Sequence, residues 1–198
     1  RAERVLRDLD RRGIGYTVSW DPVAPEASGA EAIRIGRLQQ RLGLEIAADA
    51  TRCLQFFDGT EATWHEDTNG VRFAETSFGG KLGCPFALEH RFAPVAAQVD
   101  AFVTRYRETG LRPRLVFADW EVDGPIEWND AWASSKRCRR CREAVPGLSD
   151  FRVFQKRLRD LRSRMQREAF AERVTSVFPA ALVGNYGVYP HDGFRYWY

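Results

Sequence analysis

Hydrophobic and polar positions along the chain follow two periodicities in alternation. Segments with apolar residues at helical spacing are separated by shorter segments rich in β-branched and aromatic residues, a pattern typical of strands. The helical segments are residues 2–12, 30–42, 94–109 and 150–173, and the extended segments are 14–20, 44–57, 115–120 and 181–188. Two long connections remain. One, at 58–93, is expected to be functional or to carry a small hairpin, and the other, at 122–149, is polar.

This alternation of helices and strands predicts a parallel β-sheet covered by helices. Two architectures fit it, a doubly wound sheet and a closed (β/α)₈ barrel. No glycine-rich phosphate loop follows a predicted strand, which weakens the case for a nucleotide-binding doubly wound sheet. Four strands in a chain of this length make half a barrel with long βα loops. We therefore predict an α/β fold that is a partial (β/α)₈ TIM barrel.

The two ends of the chain suggest a piece of a longer protein. The sequence opens without an initiator methionine and stops within an aromatic run at Tyr198. We expect residues 1–198 to form a single catalytic-barrel fragment, cut at both ends.

Composition narrows the classes of partner. The formal net charge is +3, and no block of like charge is long enough for a nucleic-acid arm. No apolar run approaches the length of a membrane span. We therefore expect neither a nucleic-acid nor a membrane partner. Aromatic residues make up 13% of the chain, which suits a carbohydrate enzyme because sugar rings stack on aromatic faces. The excess of arginine over lysine indicates a GC-rich, bacterial genome.

The strongest chemical signal is a cluster of carboxylates at the end of the third predicted strand. Asp119, Glu121 and Asp123 follow an apolar entry at period two and therefore share one side of an extended chain. In β/α proteins the C-terminal ends of the strands bind ligands. Crowded carboxylates raise the pKa of at least one of them, as a general acid for glycosidic bond cleavage requires. The alternative is a solvated loop whose acids cap the next element.

Two motifs in this half of the chain resemble the hyaluronidase family of glycoside hydrolases. The run Phe117-Ala118-Asp119-Trp120-Glu121 is similar to that family's D-x-E run. Downstream, residues 182–190, Leu-Val-Gly-Asn-Tyr-Gly-Val-Tyr-Pro, resemble its aromatic strand before proline. The resemblance covers residues 112–198. The chain departs from the family in lacking its Trp-Arg-Pro continuation after Glu121 and its cysteine near the aromatic strand.

The resemblance implies a retaining mechanism in which the acetamido oxygen of an N-acetylated sugar is the nucleophile. Glu121 matches the general acid of the family. Asp119 matches the residue that orients and polarises the acetamido group, and Tyr186 matches the tyrosine that helps to hold it. A location outside the cytoplasm, secreted or periplasmic, is expected if the chain is a glycosidase.

Further residues near the predicted strand ends are candidates for contact with substrate. Trp20 ends the first strand, where it could stack on a sugar ring or cap the barrel. The candidate substrate-binding residues are Trp20, Asp21, Asp123, Trp128, Asn185, Tyr189 and His191.

Four cysteines give a weaker signal. Cys138 and Cys141 form a single C-x-x-C, and a structural zinc site needs four ligands. Cys84 and His90 could complete one only if the two long connections fold against each other. A disulfide or two unbonded thiols is the favoured interpretation, so we expect no metal ligand and no cofactor. The arginines around Cys138 could meet an anionic polymer or form a solvated face.

The leading functional hypothesis is a glycoside hydrolase that cleaves a polysaccharide or oligosaccharide, with N-acetylhexosamine as a candidate component. Glu121 would be the general acid and Asp119 its partner carboxylate. Two alternatives stay open: a non-catalytic carbohydrate-binding barrel, and a zinc-stabilised interaction module that uses Cys138 and Cys141.

Overall fold

The fold is described from a computed structural model, over residues 1–54, 60–77, 80–87, 92–119 and 131–186. Contacts divide the chain into two compact units. The described part of unit 1 is residues 1–54, 93–119 and 167–186, and that of unit 2 is residues 60–77, 80–87, 92 and 131–166. The sequence predicted one barrel fragment. Most of unit 2 comes from the two long connections.

The strands in the described ranges are β1 Thr17–Ser19, β2 Ala47–Asp49, β3 His65–Glu66, β4 Arg72–Phe73, β5 Glu75–Ser77, β6 Gly80–Leu82, β7 Leu115–Asp119 and β8 Leu182–Tyr186. The helices are α1 Ala2–Arg11, α2 Pro25–Arg41, α3 Phe92–Glu108, α4 Ala131–Arg137, α5 Arg139–Ala144, α6 Phe151–Met165 and α7 Glu172–Val177. A π-helical turn, Gln166–Ala171, joins α6 to α7. None of these helices is long and apolar enough to cross a membrane.

Unit 1 is an α/β structure with a four-stranded parallel sheet, as the alternation of patterns predicted. The strand order is β1-β2-β7-β8, and all three pairings are parallel. Helix α2 begins at Pro25, five residues before the predicted start. Proline suits the first turn of a helix because its missing N–H has no partner there in any case.

The two faces of this sheet differ in burial. Val18, Ala48 and Val116 are paired across three strands and are at most 8% exposed. On the opposite face Leu182 is 59% exposed and Ser19 is also exposed. The sheet therefore has one well-packed face and one that is partly open.

Unit 2 contains two antiparallel hairpins, β3-β4 and β5-β6. Both lie in the connection 58–93, which was expected either to be functional or to carry a small hairpin. Helices α4 and α5 occupy part of the connection that was predicted to be a polar loop. In the core of unit 2, Val145, Leu148, Phe154 and Leu158 pack around three buried cysteines. The indole N–H of Trp132 donates to the Leu148 carbonyl at 2.9 Å, which ties α4 to the turn before α6.

Candidate functional site

The C-terminal edge of the parallel sheet brings together two residues of the predicted catalytic set. Asp119, the last residue of β7, is the register partner of Tyr186, the last residue of β8. Adjacent strands lie about 4.8 Å apart, so the two backbone positions are direct neighbours. Asp49, at the end of β2, pairs with Phe117, two residues before Asp119. By its register with Ser19, Asp49 belongs to the partly open face.

Asp49 is an acid at this edge that the sequence analysis missed. Its Oδ2 accepts a hydrogen bond from the Ser19 hydroxyl at 3.1 Å. Its Oδ1 accepts from the backbone N–H of Thr51 at 2.9 Å and also from the Thr51 hydroxyl. These donors fix the carboxylate in one orientation. Asp49 could have been identified from its position at the end of a strand, but the apolar pattern of residues 44–57 did not show where that strand ends.

Asp21, a predicted substrate-binding residue, lies at the end of β1 and is held in place by neighbours. Its Oδ2 pairs with the Arg52 guanidinium at 2.7 Å, and its Oδ1 accepts the Val23 N–H at 3.0 Å. The Asp21 side chain is only 27% exposed. Its carboxylate therefore serves local structure, and Arg52 neutralises its charge.

Trp20 has the packing role, one of the two alternatives that the sequence left open. It is fully buried, and its ring stacks on Phe102 of α3 at 5.2 Å between centroids. Tyr106 lies against the same ring at 5.9 Å. Trp20 follows Val18 at period two and therefore belongs to the packed face. The predicted contact of Trp20 with a sugar is corrected on this ground, because no face of the ring is accessible.

The other predicted site residues divide between described and undescribed parts of the chain. Asn185 is exposed on β8, one residue before Tyr186. The remaining five lie outside the described residues: Glu121, Asp123, Trp128, Tyr189 and His191.

Unit 2 contains a second group of chemically capable side chains. His65, Cys84, Cys138 and Cys141 are buried, and their ligand atoms all lie within 4.8 Å of one another. We refer to these four residues as the thiol–imidazole cluster. The Cys84 sulfur lies 3.4 Å from that of Cys141 and 3.7 Å from that of Cys138, and the Cys141 sulfur lies 4.0 Å from Nδ1 of His65.

Short local elements place the four side chains. Cys138 is the N-cap residue of α5, with extended backbone angles, and Cys141 lies in the first turn of that helix. Cys84 precedes a 3₁₀ turn, Pro85–Ala87, and its N–H donates to the Thr63 carbonyl at 2.6 Å. His65 lies on β3, where its ring stacks on that of its register partner Phe73 at 5.1 Å.

The two arginines between Cys138 and Cys141 bind the segment that carries His65. Arg139 pairs with Glu66 at 2.6 Å. Arg140 donates to the carbonyls of Ala62 and Trp64, at 3.1 and 3.0 Å. The sequence analysis considered an anionic polymer or solvent as partners for these arginines. Their partners in the structure lie within unit 2, on either side of His65.

The pKa values of the three clustered thiols shift in different directions. Contact with the Cys138 sulfur, together with burial, raises the pKa of Cys84 to about 12. Contacts with Cys138 and Cys84 raise the pKa of Cys141. Contacts with the sulfurs of Cys141 and Cys84 lower the pKa of Cys138. Three thiolates this close would repel one another strongly unless a cation lay between them.

This arrangement was predicted only in part from the sequence, where no metal ligand was expected. Cys84, Cys138 and Cys141 were possible partners there, with His90 as the fourth residue. His90 lies outside the described residues, and His65 supplies the imidazole. All four cysteines are free thiols, and the sulfurs of Cys84, Cys138 and Cys141 meet without forming a disulfide. The C-x-x-C lies in a buried core, where the sequence predicted a polar loop.

Comparisons of the chain with models of protein families, with curated proteins and with solved structures found no match.

Proposed function

We propose that the protein is a glycoside hydrolase that cleaves a glycan containing N-acetylhexosamine. The observation that carries the proposal is the pairing of Asp119 with Tyr186 at the C-terminal ends of adjacent parallel strands. The hyaluronidase-like motifs assign these two residues to one acetamido group. An acetamido group spans a few ångströms, so the residues that hold it have to be neighbours in space. The backbone register meets this requirement although 67 positions separate the two residues along the chain.

Strand order supports a barrel as the architecture that carries this site. The parallel strands follow one another in chain order, β1-β2-β7-β8, with no reversal among the described strands. A doubly wound sheet has a switch point at which the order reverses, and its ligands bind there. A barrel has no reversal, and its ligands bind at the C-terminal ends of its strands. Asp49, Asp119 and Tyr186 all end their strands at that edge.

The proposed mechanism divides the reaction between the substrate and three residues. Glu121 donates a proton to the glycosidic oxygen as the bond to the anomeric carbon breaks. The acetamido oxygen attacks that carbon and forms a cyclic oxazolinium. Asp119 accepts a hydrogen bond from the acetamido N–H and stabilises the positive charge, while Tyr186 donates to the acetamido oxygen. Water then opens the ring and returns a proton to Glu121, which gives a product with retained configuration.

The test is hydrolysis of chitin oligosaccharides and of hyaluronan by the wild type and by Glu121→Gln, with products followed by mass spectrometry. The control is Glu108→Gln, which changes an exposed acid in the last turn of α3 in the same way. We expect cleavage by the wild type and the control and its loss in Glu121→Gln. Equal cleavage by all three proteins would refute the role of Glu121. Binding without cleavage by the wild type would favour the non-catalytic carbohydrate-binding barrel.

A further inference from the structure

The thiol–imidazole cluster takes no part in the proposed hydrolysis, yet it lies at the centre of the unit 2 core. Its members are buried, with Cys84, Cys138 and Cys141 each 0% exposed and His65 2% exposed. Polar groups are rarely buried together unless something satisfies all of them at once. We propose that His65, Cys84, Cys138 and Cys141 bind one zinc ion that stabilises unit 2.

The separations between sulfurs fit a common metal centre. Zinc–sulfur bonds of about 2.3 Å in a tetrahedron place two sulfurs about 3.8 Å apart. Cys84 has one sulfur neighbour at 3.4 Å and another at 3.7 Å. A disulfide joins only two sulfurs, at about 2.05 Å, and would leave the third thiol without a partner. One sulfur with two nearly equidistant sulfur neighbours therefore indicates a shared ion.

The donor set selects zinc and a structural role. Three thiolates and an imidazole are soft to borderline ligands, the kind that binds zinc in tetrahedral sites. Catalytic zinc sites keep one position for water or substrate, whereas structural sites take four protein ligands. This cluster supplies four, and its members are buried. Nδ1 of His65 lies 4.0 Å from the Cys141 sulfur and is therefore the nitrogen that would bind the metal.

The two arginines between Cys138 and Cys141 hold the segment that carries His65 in place. Arg139 and Arg140 hold the backbone on both sides of His65 through Glu66 and two carbonyls. Metal ligands in proteins are commonly oriented by such outer contacts.

A zinc ion would cross-link two distant parts of the chain. The ligands come in pairs, His65 and Cys84 from the connection after β2, and Cys138 and Cys141 from the connection after β7. Cys84 and Cys138 are 54 residues apart. Closing so long a loop costs chain entropy, and the binding energy of the ion offsets that cost. This role does not depend on the proposed glycosidase activity.

The first experiment measures metal content of the protein purified without added metal, by mass spectrometry of the elements. We expect one zinc per chain in the wild type and loss of zinc in Cys138→Ser and in His65→Ala. The matched control is Cys53→Ser, because Cys53 is a buried free thiol of unit 1 outside the cluster. This control should keep its zinc. Protein that is folded and metal-free, or iron in place of zinc, would overturn the proposal.

A second experiment remains informative if the variants above fail to accumulate. It replaces His65 by cysteine, which supplies a fourth thiolate, and exchanges the native metal for Co²⁺. The wild type should give the visible absorption of tetrahedral Co²⁺, and His65→Cys should keep it with a stronger sulfur-to-cobalt band. Absence of the tetrahedral bands would overturn the site. An unchanged spectrum in His65→Cys would overturn the assignment of His65 as a ligand.

Discussion

Asp119 and Tyr186 are register partners at the ends of β7 and β8, two adjacent parallel strands. The pairing meets the geometric requirement of the role proposed above, in which both residues hold one acetamido group. The same edge carries Asp49, whose carboxylate is already occupied by donors from Ser19 and Thr51. The fold therefore holds the Asp49 carboxylate in place through these donors.

The first prediction concerns Glu121. If it is the general acid, Glu121→Gln should lower kcat by roughly 10²- to 10⁴-fold, the usual contribution of general acid catalysis. The loss should be smaller on substrates whose leaving group needs no proton, such as a dinitrophenyl glycoside. Steady-state kinetics on both substrate types measures the difference. A loss of equal size on both would contradict the assignment.

The second prediction concerns the nucleophile. If the acetamido oxygen attacks, Asp119→Asn and Tyr186→Phe should both lower kcat, because each weakens the hold on that group. A thiazoline analogue of the cyclic intermediate should inhibit the wild type and bind more weakly to Asp119→Asn. A covalent adduct of a fluorinated sugar on another carboxylate would contradict substrate assistance and would leave the class of glycoside hydrolase standing.

The third prediction concerns the arginine contacts around His65. Arg140→Ala removes the donor to the carbonyls of Ala62 and Trp64. We expect zinc affinity to fall by about 10- to 100-fold, the usual effect of losing an outer contact of a metal ligand. Competition with a chromogenic chelator measures the affinity. Arg142→Ala, which alters an exposed arginine of the same helix, is the control and should bind as the wild type does.

The fourth prediction concerns thiol reactivity. In the zinc-bound protein at pH 8, all four cysteines should resist alkylation. Cys84, Cys138 and Cys141 are protected by the metal, and burial raises the pKa of Cys53 to about 12. A strong chelator should expose the three cluster thiols, while Cys53 should react only when unit 1 unfolds. Peptide mapping of the alkylated protein identifies the order. Simultaneous reaction of all four thiols would contradict it.

The fifth prediction concerns the close approach beside Cys84. A Cβ at Gly83 would lie 2.9 Å from the carbonyl oxygen of Thr63 and equally close to its hydroxyl. Gly83→Ala should therefore displace this segment and cost about 1–3 kcal/mol in the free energy of unfolding. Denaturant titration measures it. Gly15→Ala, where nothing lies within 4 Å of the new methyl group, should show no such loss.

The parallel sheet could be predicted because its strands are apolar and are separated by helices with a regular period. The alternation of side chains along a strand also decides between the two roles that were left open for Trp20. Trp20 stands two residues after Val18 and therefore shares its packed face. The same period-two rule therefore predicts that Trp20 lies in the core, where the structure has it.

Helices α4 and α5 escaped prediction because their buried stripe contains few aliphatic residues. The positions that turn inward are Ser135, Cys138, Cys141 and Val145, spaced three or four apart. Serine and cysteine do not register as a hydrophobic pattern among so many arginines. The fourth residue of the cluster was not predicted for a different reason. Spacing along the chain does not show whether His65 or His90 lies near Cys84, because the hairpin that carries His65 determines its position.

The cluster is made of two pairs of residues from two separate connections, which bears on how the two connections would evolve. The connection after β2 contributes His65 and Cys84, and the connection after β7 contributes Cys138 and Cys141. Neither pair alone supplies the four ligands that a structural zinc site needs. If the cluster binds zinc, selection would act on the two connections, 58–93 and 122–149, as a set. Among relatives with the same parallel sheet, we expect the two inserts to be present together or missing together, and a lineage that shortens one to lose the ligands of the other.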